Sequence, residues 1–148
     1  MNKKVLINIL TGSNSKLIST SILLLRCIIG VILFVVGSGK VLGWFGGSGF
    51  DTTIKFYREM GFSPFLAHLS SYTEFIGGFL LIIGFLTRPV LIAVIINMFI
   101  AAKVLLPNGF LGPSGASYPF TFLIIAIVIL LTGSMNYSID YLLFQHDR

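Results

Sequence analysis

Four long apolar runs constrain this chain more than any other feature of it, extending over about 17–39, 64–86, 89–106 and 117–135. Each reaches the roughly 17 residues a helix needs to cross the hydrocarbon of a bilayer, the third and fourth only narrowly. Helices of soluble domains average about 11 residues and keep a polar face. These runs are too long and too uniformly apolar for that. Only 10% of the 148 residues are charged and 55% are hydrophobic, against about 25% charged in an ordinary soluble domain. The mean hydropathy is +0.97. Such a chain cannot cover itself against water, so the lipid bilayer is its first partner. The expected fold class is all-α: an integral membrane four-helix bundle formed by a single domain over 1–148.

Prolines set the ends of the runs. Ser63-Pro64 and Ser117-Tyr118-Pro119 read as helix starts, because a first-turn amide has no partner to lose. Arg88-Pro89 makes a tight corner, so the second and third spans are antiparallel neighbours. Between the first and second spans lies a longer connection. It opens with Gly43, Trp44, Phe45, Gly46 and Gly47 and continues into a short amphipathic helix, with Asp51 at its start, Ile54, Tyr57 and Met60 on one face, and Gly61 at its end. Pro107–Ala116, rich in glycine and proline, is expected to fold back over the same end, and Ser138–Phe144 to form a short interfacial tail. No apolar core followed by a small-residue cleavage site opens the chain, so the first run reads as a retained span.

An even number of spans puts both termini on one side. That side collects Lys3, Lys4, Lys16, Arg26, Arg88 and Arg148; the other has Lys40, Lys55, Arg58 and Lys103. The bias favours cytoplasmic termini and an external amphipathic segment. The formal net charge of +5 forms no basic stripe, so nucleic acid is not an expected partner. Cys27 stands alone, which excludes an intrachain disulfide and a CxxC redox pair. His68 and His146 belong to no ligand motif, and no metal is expected. The GWFGG stretch lacks the Lys-Ser/Thr pair of a phosphate loop.

Function is sought where polar groups enter hydrocarbon, because each costs free energy there unless it is paired. In the second span Ala67, Ser70, Ser71, Glu74, Gly77, Gly78 and Leu81 share one small, polar face, which can approach another helix and carry Glu74 inward. Lys40 ends the first span at the same level, and Lys103 stands near the corresponding end of the third. Lys40, Glu74 and Lys103 therefore form the candidate functional cluster, with Trp44, Phe45, Tyr57 and Phe62 as candidate pocket wall. Three readings are open: an ion pair that fixes packing only, a site for an anionic or quinone-like head group or a proton relay, and an ion or solute pathway. Asn97, flanked by Ala93 and Ala101, reads as a polar helix contact. Arg26 reads as a second packing residue, anchored at inner headgroups roughly 21 Å along the helix from Lys40. Cys27 reads as a core thiol.

Taken together, Leu24-Leu25-Arg26, Gly30, Phe34, Gly37, Gly39-Lys40, Glu74, Gly77-Gly78, Gly84, Arg88-Pro89 and Ala101-Ala102-Lys103 resemble the DoxX family of small membrane proteins, over about 23–131. The resemblance implies a four-helix protein of the bacterial inner membrane, with Arg26, Lys40 and Glu74 matching family positions. It also implies association with quinone-linked oxidation of sulfur or thiol compounds. Because the chain has neither a redox cysteine pair nor a nucleotide-binding motif, a bound quinone or an oxidoreductase partner subunit would carry the electrons. A homodimer, a non-catalytic organiser and an oligomeric carrier are the alternatives.

Overall fold

Residues 15–112, 114–133 and 137–144 are described by the computed structural model. Lys3, Lys4, His146, Arg148 and the Met135 end of the fourth expected span lie outside them. All regular structure among the described residues is helical. The helices are α1 (Ser15–Leu42), α2 (Gly49–Glu59), α3 (Pro64–Ile83), α4 (Thr87–Leu105), α5 (Ser117–Thr132) and α6 (Ile139–Phe144), with 3-10 turns at Trp44–Gly46 and Leu106–Asn108. Three stretches, Lys16–Leu42, Pro64–Ile83 and Thr87–Asn108, are long and apolar enough to cross a membrane, and α5 is a shorter apolar helix. This is an all-α membrane protein.

Packing follows from the glycines. A Cβ on Gly30 would stand 2.9 Å from the Gly78 carbonyl oxygen; one on Gly37 would strike the Phe75 backbone, and one on Gly78 the backbone of Phe34. The small faces of α1 and α3 thus let the two backbones meet directly. Phe34 and Phe75 stack beside the contact, with ring centroids 5.2 Å apart. The seven residues expected on the small face of α3 are the seven buried there. α4 packs on α5, and the α3–α4 and α1–α5 contacts close a ring of four helices. Inside it lie Ile29, Leu33, Leu81, Leu91, Val94, Ala126 and Ile129, all fully buried. Phe65, Phe79, Phe99, Ile124 and Leu131 point outward, as lipid solvent permits.

Several ends differ from the sequence expectation. α1 continues past Gly39 to Leu42, which places Lys40 inside its last turn. α3 stops at Ile83 because Gly84 turns left-handed (φ 70°), earlier than the expected 86. α4 begins at Thr87, before Pro89, because Asp140 of α6 accepts from the Leu86 and Thr87 amides, each at 2.8 Å. That borrowed cap supplies the first turn, and proline is tolerated within it. α5 ends at Thr132, where Gly133 takes a positive φ of 81°. In α2 Thr53 is the buried residue; Tyr57 and Met60 of the expected Ile54–Tyr57–Met60 stripe face the hollow beneath the helix, and Ile54 does not. Ser63 caps α3 as expected, accepting from the Leu66 amide.

Candidate functional site

Gly37 lies one turn before Lys40 on α1, and Phe75 follows Glu74 on α3. The close backbone approach at Gly37 therefore brings base and acid together. Lys40 Nζ lies 2.8 Å from Glu74 Oε1 and 2.6 Å from Oε2. From α4, Asn97 Nδ2 donates to the same Oε1 at 3.2 Å. The carboxylate is thus held by two helices other than its own. The pair is unequally buried: the Lys40 side chain is 27% exposed and that of Glu74 only 5%.

Lys40 and Asn97 face a half-open cavity of about 630 Å³ between α2, α3 and α4. α2 roofs it. Thr53 faces inward from this helix, and the Tyr57 hydroxyl donates to Ser70 Oγ on α3 at 2.7 Å. Thr73, Tyr57 and Ser70 put further hydroxyls on the wall, while Phe56, Phe62, Leu69, Ile96 and Ile100 make the rest of it apolar. A few polar groups thus stand in an otherwise hydrocarbon-lined space, a pattern typical of small-molecule sites.

Of the residues singled out from sequence, Lys40 and Glu74 meet, and Tyr57 and Phe62 line the cavity. Lys103 is not brought to them. It is exposed and outside the cavity lining, because it sits about 120° around α4 from Asn97. Asn97 takes the third place in the cluster instead. Trp44 and Phe45 also fall outside the lining; they form an exposed 3-10 turn, with Phe45 left-handed at φ 54°. Gly47, which follows this turn, packs against Gly39 of α1, and the two rings stay exposed.

Arg26 requires a correction. It is buried in the bundle at the opposite end, only 1% exposed, rather than anchored among headgroups. Its guanidinium donates to the Tyr137 carbonyl beneath Gly84, where any Cβ would collide with it. With Asp140 capping α4, this contact docks the tail on the bundle. Among the described residues no group of three or more His, Cys, Asp or Glu side chains could hold a metal ion.

The DoxX family profile matches residues 21–107, a segment that holds the whole cluster and the cavity. The chain belongs to the DoxX family. A Bacillus subtilis (strain 168) protein named "Putative oxidoreductase CatD" is 35% identical over 129 residues, covering 85% of this chain and 89% of the relative. No solved structure matches the chain. The matched segment holds Lys40, Glu74 and Asn97, while Asp140 lies outside it.

Proposed function

We propose that this DoxX-family protein is the membrane subunit of an oxidoreductase system and that its cavity binds the head group of a lipid-soluble quinone. One observation carries the reading: amine, amide and hydroxyl groups line an otherwise apolar cavity between the helices. A quinone ring needs donors for two carbonyl oxygens and apolar walls for its faces. Lys40 has three N–H donors and Asn97 two, and each uses only part of that capacity on Glu74. The residues therefore fit the group. When bound, a quinone would supply two-electron, two-proton redox capacity. The residues of this chain orient the ring: Lys40 and Asn97 hold one edge, the α3 and α4 walls flank its faces, and Glu74 holds the lysine in place. With Cys27 as the sole cysteine, electrons come from a partner subunit acting on a sulfur or thiol compound.

The same reading takes α5 as a fourth crossing, about 24 Å long at 16 residues. It places both termini in the bacterial cytoplasm and α2 on the external face of the inner membrane, with the chain as one domain. A second reading, a non-catalytic membrane organiser, draws on the mutual satisfaction of Lys40 and Glu74, which suffices to fix packing.

The test is extraction of the protein in nanodiscs, followed by native mass spectrometry and quinone analysis of the wild type and Glu74→Gln. Retained quinone in the wild type, lost in Glu74→Gln, supports the site. Equal retention in both sinks it. Full function in a charge-swapped Lys40→Glu/Glu74→Lys protein favours the organiser.

A further inference from the structure

A second hollow, of about 280 Å³, lies between α3 and α4 and shares Leu69, Thr73 and Ala93 with the cavity. It continues away from the polar cluster to Leu80 and Val90. From Leu66 at the top of the cavity to Leu80 the groove follows α3 for roughly 21 Å. Its walls are almost wholly apolar.

Gly77 lies in the floor of this groove. The neighbouring Gly78 is required by the helix contact, since a Cβ there would strike the α1 backbone. Gly77 faces the other way. A Cβ on it would meet only side-chain methyls, Val90 Cγ1 at 3.2 Å and Val94 Cγ2 at 4.0 Å. No backbone approaches Gly77; its missing side chain lets Val90 of α4 come close to α3 at the floor of the hollow. The combined space has its donors part-way along α3, at Glu74, and from there an apolar groove runs roughly 9 Å to Leu80, room for the first part of an amphiphile's chain.

We infer that the site takes a prenylated quinone, with the ring under α2 at Lys40 and Asn97 and the first part of the isoprenoid chain laid between α3 and α4 past Gly77. This rests on the quinone reading above and deepens it by assigning the chain a place. The ligand enters sideways from the bilayer. In lipid the chain gains little from leaving one hydrocarbon environment for another, so the groove's contribution is position: it admits a molecule already oriented with its ring toward the cavity.

The experiment uses the full chain in nanodiscs with a probe, a two-isoprene naphthoquinone bearing a diazirine at the chain terminus. Irradiation and peptide mass spectrometry locate the adducts. The expected adducts fall on 76–80 and 90–93, and an about tenfold excess of unlabelled prenylated quinone lowers them about tenfold by mass action. Gly77→Leu, which fills the slot, abolishes them, and Val90→Phe provides the same block from α4 should the first variant not fold. Adducts spread over outward-facing residues such as Phe99 and Leu131, or unaltered in both filled variants, overturn the groove. Competition separates the two readings. If the unprenylated ring displaces the probe, both stand. If only a prenyl alcohol displaces it, the groove stands and the quinone head falls. If the ring binds in the cavity while 76–80 stays unlabelled, the quinone reading stands and the groove falls.

Discussion

Replacing Lys40 by methionine and Glu74 by glutamine should have very different consequences, although each removes one half of the same ion pair. Glu74 is only 4% exposed. Without Lys40 its carboxylate keeps Asn97 but loses its counter-charge in a low-dielectric setting, and breaking a buried pair this way costs about 3–5 kcal/mol. Without the Glu74 charge, Lys40 has an escape. Its side chain is already 27% exposed to the cavity, so the amine can extend into solvent while its stem stays on the helices. The glutamine retains a carbonyl for Asn97, and the cost falls to about 1 kcal/mol, that of an ordinary hydrogen bond. The difference is about 3 kcal/mol, which at about 3 °C per kcal/mol for a chain of this size gives a gap near 9 °C in Tm. Thermal unfolding of the detergent-solubilised proteins, followed by Trp44 fluorescence, measures it. The Lys40→Met/Glu74→Gln double variant should recover most of the loss, because a pair removed together leaves no orphaned charge. If Glu74→Gln proves as destabilising as Lys40→Met, the uneven burial argued for the pair is wrong.

Gly37→Ala drives a methyl into the Phe75 backbone and should cost about 3 kcal/mol; Gly77→Ala, facing only methyls, should cost under about 1 kcal/mol, and the same unfolding assay compares them. Asp140→Ala strips the α4 amides of their cap at about 1–2 kcal/mol, and hydrogen exchange should accelerate first at Leu86 and Thr87. In a Cys27→Ala background, Lys55→Cys should react with an impermeant maleimide added to intact cells and Arg88→Cys only after permeabilisation; the reverse pattern inverts the proposed topology.

The inward face of α3 was legible in the sequence because a 3.6-residue period and one carboxylate in hydrocarbon leave a single sensible orientation. Lys40 was legible for a related reason: it ends an apolar run at the level of Glu74. Asn97 announced a helix contact through its flanking alanines but not its partner, since periodicity orients a residue on its own helix and does not say which helix it faces. Lys103 illustrates the same gap from the other side. It has the right depth and the wrong azimuth. The start of α4 was beyond local reading altogether, because its cap comes from Asp140, more than fifty residues away. Likewise Arg26 has the composition of a headgroup anchor until the tail is folded back over it.

The glycine contact between α1 and α3 makes one side of the cavity a fixed jaw. Backbone there rests on backbone, with no side chain left to trim or enlarge, so neither helix can yield to a bulkier guest. Any adjustment falls to the opposing jaw, α4 with Ala93, Ile96 and Ile100, and to the α2 roof held by the Tyr57–Ser70 bond. Differences in guest size among related chains should therefore be written on α4 and α2, with the α1–α3 seam kept as the datum from which they are measured.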